Sequence, residues 1–421
     1  MKTSKEKVTG MYIQSVSMKD FRCFHNASAS FVYPTDSNVS KMEYPNVNLI
    51  LGTNASGKSA VLKALALSVL APALQSSGYV PAYIVRRPSR RETKAPTRGT
   101  VTSSLLLFAE NSSIETQMVT DGQVILQRKG DRDIVLSTAI VNDSLWLGIF
   151  EDNDPGFFLV AYGATRRVEL GEVDLQLRDR SRAPRYQRVA GLFEDYVGLI
   201  PPSTWIKHLD SQGRLDDAVS LLCSVLPEEV IPKIDRSSGT ATVVYDAAGT
   251  ELPFTALADG YRAFIGWVGD LLFNLGLIAS VGQKLTDIRG VVIVDEVDLH
   301  LHPEWQRDVV DRISKSFPRI QFFFTTHSPL VTSSLEAKNI WLCEIGETGK
   351  RELNRARVTP FGLSPDQILS SAYFGVTSVR PVTTETRLRE LTRKAADGDT
   401  DAAIEFLRVL SGSKKATEGT S

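Results

Sequence analysis

Gly52-Thr53-Asn54-Ala55-Ser56-Gly57-Lys58-Ser59 follows the short apolar run Val47-Asn48-Leu49-Ile50-Leu51 and opens a helix-forming stretch from Lys58 to about Leu70. It satisfies G-x-x-x-x-G-K-S/T at every fixed position, in the strand, turn and helix order that gives the motif its meaning. Glycines let the backbone curl so that successive N–H groups converge on a phosphate, and the helix N-terminus adds its positive end. The reading is a phosphate cradle formed by Gly52, Thr53, Asn54, Ala55, Ser56, Gly57, Lys58, Ser59 and Ala60. Lys58 reaches the β- and γ-oxygens of ATP, and the Ser59 hydroxyl reaches Mg²⁺. The competing reading is a glycine-rich turn that binds nothing.

Val291-Val292-Ile293-Val294-Asp295-Glu296 is four apolar residues ending in two carboxylates, which suits a buried parallel strand emerging at its carboxyl end. Alone, such a run is more often a plain core strand. Paired with the cradle it reads as a Walker B element, with Asp295 holding Mg²⁺ and Glu296 orienting the attacking water, because phosphoryl transfer is mostly positioning and charge stabilisation.

The rest of the chain frames these two pieces. With 421 residues, 48 Lys and Arg and 49 Asp and Glu, the net charge is −1, and no bulk charge argues for a polyanion or a membrane partner. Three dispersed cysteines, Cys23, Cys223 and Cys343, fit a reducing cytoplasm rather than a disulfide framework or a thiolate zinc site. The N-terminal residues lack the apolar stretch of a signal peptide. Gly266 to Gly282 is interrupted by Asp270 and Asn274 and falls short of a membrane span, so it reads as a buried helix.

Strands are expected over 11–18 and 45–51. A β-rich block between about 101 and 162, VTSSLLLF, TQMVT, QVILQR, DIVLST and FFLVAYG, reads as an antiparallel meander. Helical spacing dominates 203–226. The runs VIPKI and ATVVYD pair across Ser237, Ser238 and Gly239, and ELPFTAL adds a strand. Phe264, Val268, Leu271, Leu272, Leu275 and Ile278 recur at three and four residue steps, predicting an amphipathic helix from Asp259 to about Val281. Beyond Pro360, helices are expected near 364–374, 384–396 and 400–410. No heptad tract occurs.

The order of the pieces carries a resemblance. Leu257-Ala258-Asp259-Gly260 opens a helix before the Walker B run, and His327 follows the next apolar run within Thr325-Thr326-His327-Ser328-Pro329. Phe21-Arg22-Cys23-Phe24 follows the first strand, and Glu296 to Pro303 reads EVDLHLHP. In these features the chain resembles the ABC-type ATPase heads of the SMC, RecF and OLD kind. The weaker stretches YGATRR, GLFED and FGLSPDQILSSAYFGV resemble the stand-alone ATPase subunits of bacterial anti-phage systems such as Septu, retron-associated and PARIS ATPases.

That resemblance implies an α/β fold: a P-loop ABC-type ATPase head with a mixed sheet, an antiparallel β subdomain, a helical lobe and a small α-helical C-terminal extension. The expected division is 1–165, 166–250, 251–345 and 346–421. The resemblance also implies ATP and Mg²⁺ as ligands, catalytic roles for Lys58, Glu296 and the switch residue His327, and a homodimer or higher homo-oligomer in which each ATP lies between one P-loop and the partner's Asp259-Gly260 turn. A separately encoded effector, a nuclease or toxin, is implied as a partner. The stretch after His327 is too short for a complete TOPRIM nuclease domain, and Asp397 and Asp399 have no partner glutamate to complete a carboxylate site. Ala258 stands where the family carries serine, and Ala55 where it usually has glycine. Tyr162-Gly163-Ala164-Thr165-Arg166 occupies the general place of a glutamine loop.

Two basic tracts are candidates for DNA contact: Arg86, Arg87, Arg90, Arg91, Lys94 and Arg98, and Arg178, Arg180, Arg182, Arg185 and Arg188. Such tracts are usually solvated surface. His300 and His302 lack a third ligand and read as structural. An RecF-type DNA-repair ATPase and a nucleotide-binding scaffold with little hydrolysis are the alternatives; a transporter subunit fits poorly, because it would carry L-S-G-G-Q.

Overall fold

The computed structural model describes residues 7–37, 41–87, 95–111, 114–130, 132–137, 144–151, 154–168, 184–371, 373–374 and 382–410. The strands are β1 (Lys7–Phe21), β2 (Phe24–Ser30), β3 (Val47–Gly52), β4 (Arg98–Asn111), β5 (Ile114–Lys129), β6 (Arg132–Ser137), β7 (Leu159–Tyr162), β8 (Val230–Asp235), β9 (Thr242–Ala247), β10 (Thr250–Pro253), β11 (Gly290–Val294), β12 (Ile320–Thr325), β13 (Ile340–Ile345) and β14 (Arg351–Arg355). The helices are α1 (Lys58–Leu70), α2 (Pro184–Phe193), α3 (Pro202–Ser211), α4 (Leu215–Val225), α5 (Asp259–Ile278), α6 (Pro303–Ser316), α7 (Pro329–Thr332), α8 (Pro365–Leu369), α9 (Val382–Ala396) and α10 (Thr400–Leu410). The chain forms two compact units, 1–363 and 364–421.

An 11-stranded sheet runs β6-β5-β4-β1-β2-β14-β13-β3-β12-β11-β7. Its β13-β3-β12-β11-β7 half is entirely parallel, whereas β1, β2, β4, β5 and β6 pair antiparallel. Parallel strands need both faces covered, and every residue of β11 and β12 is buried. Only Ser59 and Lys63 of the 13 residues in α1 are not buried, as befits a helix that is apolar nearly all round. A second, three-stranded antiparallel sheet, β10-β9-β8, stands apart.

The meander expectation holds for β4, β5 and β6 and fails elsewhere. TQMVT and QVILQR are one continuous strand, β5, which passes through Asp121-Gly122 in register with Ser103 and Ser104 of β4. FFLVAYG belongs to the other half: Leu159–Tyr162 pairs in parallel with Val291–Val294. The antiparallel block is not a separate sheet, since β1 and β2 carry it into the main one.

The expected buried helix is α5, ending at Ile278. Its two polar residues are satisfied internally. The Asp270 carboxylate accepts from the Tyr162 hydroxyl at 2.9 Å and from the Ile200 N–H at 2.9 Å, and Asn274 donates to it at 2.9 Å. Burial, with the neighbouring Asp270 charge adding to it, pushes the Tyr162 phenol well above its ordinary range, so Tyr162 is a donor to Asp270 at any working pH. In the second unit the helices occupy 365–369, 382–396 and 400–410. The first is shorter than expected and is opened by a Ser364–Gln367 capping box.

The Asp270 node ties α5 to the end of β7, and removing its carboxylate strands a buried hydroxyl and a buried N–H. Each orphaned group costs about 1 to 3 kcal/mol. Asp270→Ala is therefore expected to lower stability by about 3 kcal/mol in denaturant unfolding, and Asp270→Asn, which keeps an acceptor, by less.

Candidate nucleotide site at the carboxyl edge of the parallel sheet

Four neighbouring parallel strands, β3, β12, β11 and β7, end on one edge, and the residues that leave them carry the chemistry. Beyond β3 the loop turns through Ala55, at φ 58°, and Gly57, at φ 116°. The second value is a left-handed conformation suited to glycine. Space makes the same demand, because a Cβ on Gly57 would lie 2.7 Å from Cys23 Sγ and 2.8 Å from Phe24 Cζ. Phe21 and Phe24 face each other across the two-residue turn Arg22-Cys23, so the hairpin tip of β1 and β2 forms the seat under the loop.

Thr53, Asn54, Ala55 and Ser59 are exposed, Ser56 and Ala60 are buried, and Gly52 is half-buried. Lys58 is 7% exposed, and its ammonium donates to the Gly52 carbonyl at 2.9 Å and the Thr53 carbonyl at 3.4 Å. Burial lowers its pKa, and the charges of Asp295 and Glu296 oppose that shift. The Ser56 hydroxyl is buried with no hydrogen-bond partner among the described residues. A loop crowded beneath Gly57, open above, carrying an orphaned hydroxyl and followed by a helix N-terminus with free amides, fits an anionic phosphate chain.

Asp295 lies just past β11, 7% exposed, and its N–H donates to the Tyr162 carbonyl at 2.8 Å. The Thr325 hydroxyl, at the end of β12, donates to the Asp295 carboxylate, and the same oxygen accepts the Glu296 N–H at 2.7 Å. One side chain thus fixes both acidic residues. Glu296 has φ 53°, an unusual value for a non-glycine residue. Its carbonyl accepts from Arg166 Nη2 at 2.6 Å. Burial lowers the Arg166 pKa to about 10, against the pull of Asp295, Asp298 and Glu296. The Thr326 hydroxyl donates to Asp298 at 2.6 Å.

Ser59, in the first turn of α1 after β3, and Asp295, after β11, therefore lie on the same edge of the sheet with β12 between their strands. His327 is exposed two residues beyond β12. The Ala258-Asp259-Gly260 turn is on the surface: Ala258 and Asp259 are exposed and Gly260 half-exposed. Asp259 pairs with Arg262, and a Cβ on Gly260 would collide with the His300 carbonyl. The turn is thereby laid against the loop that leaves Asp295, on the carboxyl edge.

The basic tracts look different in three dimensions. Arg86 pairs with Asp20 at 2.9 Å and Arg87 with Asp133 at 3.2 Å. Arg90, Arg91, Lys94, Arg178, Arg180 and Arg182 lie outside the described residues. Arg185, read as surface, is 3% exposed and donates to the carbonyls of Gly148, Glu151, Asp154 and Phe157. Sequence reasoning gave no role to Thr325, Asp270 or Arg166. The polar end of an apolar run was a signal for Thr325, but the Asp270 and Arg166 contacts depend on pairings between distant segments.

A family model described as "AAA domain, putative AbiEii toxin, Type IV TA system" matches residues 166–333, taking in Arg166, α5, Asp295, Glu296 and His327. A Septu protein PtuA from Bacillus mycoides (strain KBAB4) is 23% identical over 371 residues, 88% of this chain and 46% of that protein. The Escherichia coli protein named "Retron Ec83 probable ATPase" is 35% identical over 108 residues, 26% of this chain and 20% of that one. The matched regions span less than half the length of these relatives. A solved SMC head bound to the C-terminal winged-helix domain of ScpA aligns with TM-score 0.46 and 16% identity, over 82% of this chain and 97% of that one. No helix among the described residues is long and apolar enough to cross a membrane. The chain is thus similar in sequence to Septu PtuA and to proteins named retron probable ATPases, and its own architecture is a mixed α/β sheet with the Gly52–Ala60 loop between β3 and α1.

Proposed function

We propose that the chain binds ATP with Mg²⁺ in the Gly52–Ala60 loop and hydrolyses it, and that two copies close on the nucleotide as a switch. One observation carries this reading: Lys58 follows β3 and the Asp295-Glu296 pair follows β11 on the same edge of the sheet, with β12 between them and Thr325 at its end bonded to both carboxylate residues.

In this reading Lys58 exchanges its carbonyl partners for phosphate oxygens. Ser59 and Asp295 hold Mg²⁺, which supplies charge neutralisation at the phosphates when bound. Glu296 orients a water for in-line attack and takes its proton, and His327, exposed beside this edge, is the switch residue. The exposed Asp259-Gly260 helix start of a second copy meets the γ-phosphate, because a helix N-terminus favours an anion. Hydrolysis removes that anion and loosens the pair. Ala258 offers no hydroxyl to the γ-phosphate, which favours a weaker closure and gives a scaffold with slow turnover as the second reading.

The relatives' names, Septu PtuA and retron ATPase, support a place in cytoplasmic anti-phage defence, with the nucleotide state licensing a separately encoded nuclease or toxin. DNA contact through the first basic tract rests on Arg90 and Arg91, since Arg86 and Arg87 are engaged with carboxylates.

Glu296→Gln is expected to keep ATP affinity while slowing phosphate release by about 10² to 10⁴-fold; equal turnover would remove Glu296 from its role. Lys58→Ala is expected to lose ATP affinity in a binding titration, and an unchanged affinity would place the phosphates elsewhere. Gly57→Ala must push a methyl into Phe24 and adopt a left-handed backbone at about 1 to 2 kcal/mol. The same titration is expected to show weakened nucleotide binding in a chain that remains folded by circular dichroism.

A further inference from the structure

Arg166 reaches the Walker B corner from outside it. The residue follows β7, the edge strand of the parallel half, and its loop is held on both sides: the Arg166 N–H donates to the Ala164 carbonyl at 3.0 Å, and the Leu199 N–H donates to the Arg167 carbonyl at 2.8 Å. The guanidinium is brought within 2.6 Å of the Glu296 carbonyl.

Glu296 needs such a contact. A left-handed backbone at a non-glycine residue persists only where its surroundings over-determine it. Here the N–H is fixed by Thr325 Oγ1 at 2.7 Å and the carbonyl by Arg166, with Leu299 N–H as a second donor at 3.1 Å. A guanidinium carries five donors in a rigid fork, and among the described residues the acceptor it meets is the Glu296 backbone carbonyl. The charges of Asp295, Asp298 and Glu296 favour its charged form against the cost of burial.

We propose that Arg166 is a positioning residue for ATP hydrolysis: from the strand beside Walker B it grips the Glu296 backbone and fixes the direction in which the Glu296 carboxylate is presented. This rests on the reading of Glu296 as the water-orienting base. It assigns Arg166 no contact with nucleotide, so its removal should leave the phosphate cradle intact and disorder the acidic corner.

The test compares wild type, Arg166→Ala and Arg166→Lys by amide hydrogen exchange without nucleotide, by ATP titration and by steady-state turnover. For Arg166→Ala the expected result is about tenfold faster exchange confined to 295–299, with 52–60 unchanged. ATP affinity should stay within about threefold, and kcat should fall about 10²-fold, the cost of misplacing a catalytic group by about 1 Å. Arg166→Lys, which restores one charged donor, should recover at least half of the lost exchange protection and a tenfold part of kcat. Unchanged exchange at 295–299 in Arg166→Ala would overturn the proposal. So would faster exchange spread evenly over β3, β12 and α1 together with lost ATP affinity, which is the mark of a merely structural residue. If wild type shows no turnover, the hydrolysis reading fails by itself, while localised exchange at 295–299 still decides whether Arg166 holds that corner.

Discussion

A lysine ammonium after β3 and two carboxylates after β11 are held on one edge of the sheet, with β12 between them and Thr325 at its tip bonded to Asp295 and to the Glu296 backbone. The rest of the molecule serves this arrangement. The edge holds its geometry because both faces of the parallel half are covered, so that β11 and β12 are buried throughout and cannot slide without moving every side chain to the wrong face. The hairpin tip at Phe21-Arg22-Cys23-Phe24 fills the space below Gly57, which gives that motif a packing role: it is the floor of the loop.

The parallel strands next to the loop were legible because each is a short apolar run ending in a polar or glycine signal, and the helices because their apolar residues recur at three and four. The cradle residues from Gly52 to Ala60 and the Asp295-Glu296 pair were readable as chemistry on the same grounds. What failed was pairing. Leu159–Tyr162 is as apolar as its neighbours in sequence, and nothing local says that it leaves the meander to lie beside β11. Asp121-Gly122 is a turn signal overridden by continuous registry with β4. Charge misled in the same way: Arg185 stands in an arginine-rich tract yet is buried under four carbonyls, since a cation whose donors are satisfied by backbone carbonyls can be buried as a staple between loops.

The node at Asp270 adds a link that neither motif contains. Asp270 lies on the helix that begins with the Asp259-Gly260 turn, and it accepts from Tyr162, whose carbonyl receives the Asp295 N–H. Two hydrogen bonds thus connect the element proposed to meet a second copy's nucleotide with the residue proposed to hold this copy's Mg²⁺. A movement of α5 on closure would be felt at Asp295 through Tyr162, and the reverse holds by linkage.

The account stands on nucleotide joining two copies through the Asp259-Gly260 turn, and the mass of the particle in solution addresses that directly. Sedimentation of the Glu296→Gln chain with saturating ATP and Mg²⁺ is predicted to show twice the mass seen with ADP, and the doubling is predicted to disappear when Asp259→Arg, at the exposed neighbour of Gly260, is added. An ATP-saturated chain whose mass is the same as with ADP, or a doubling that survives Asp259→Arg, would contradict it.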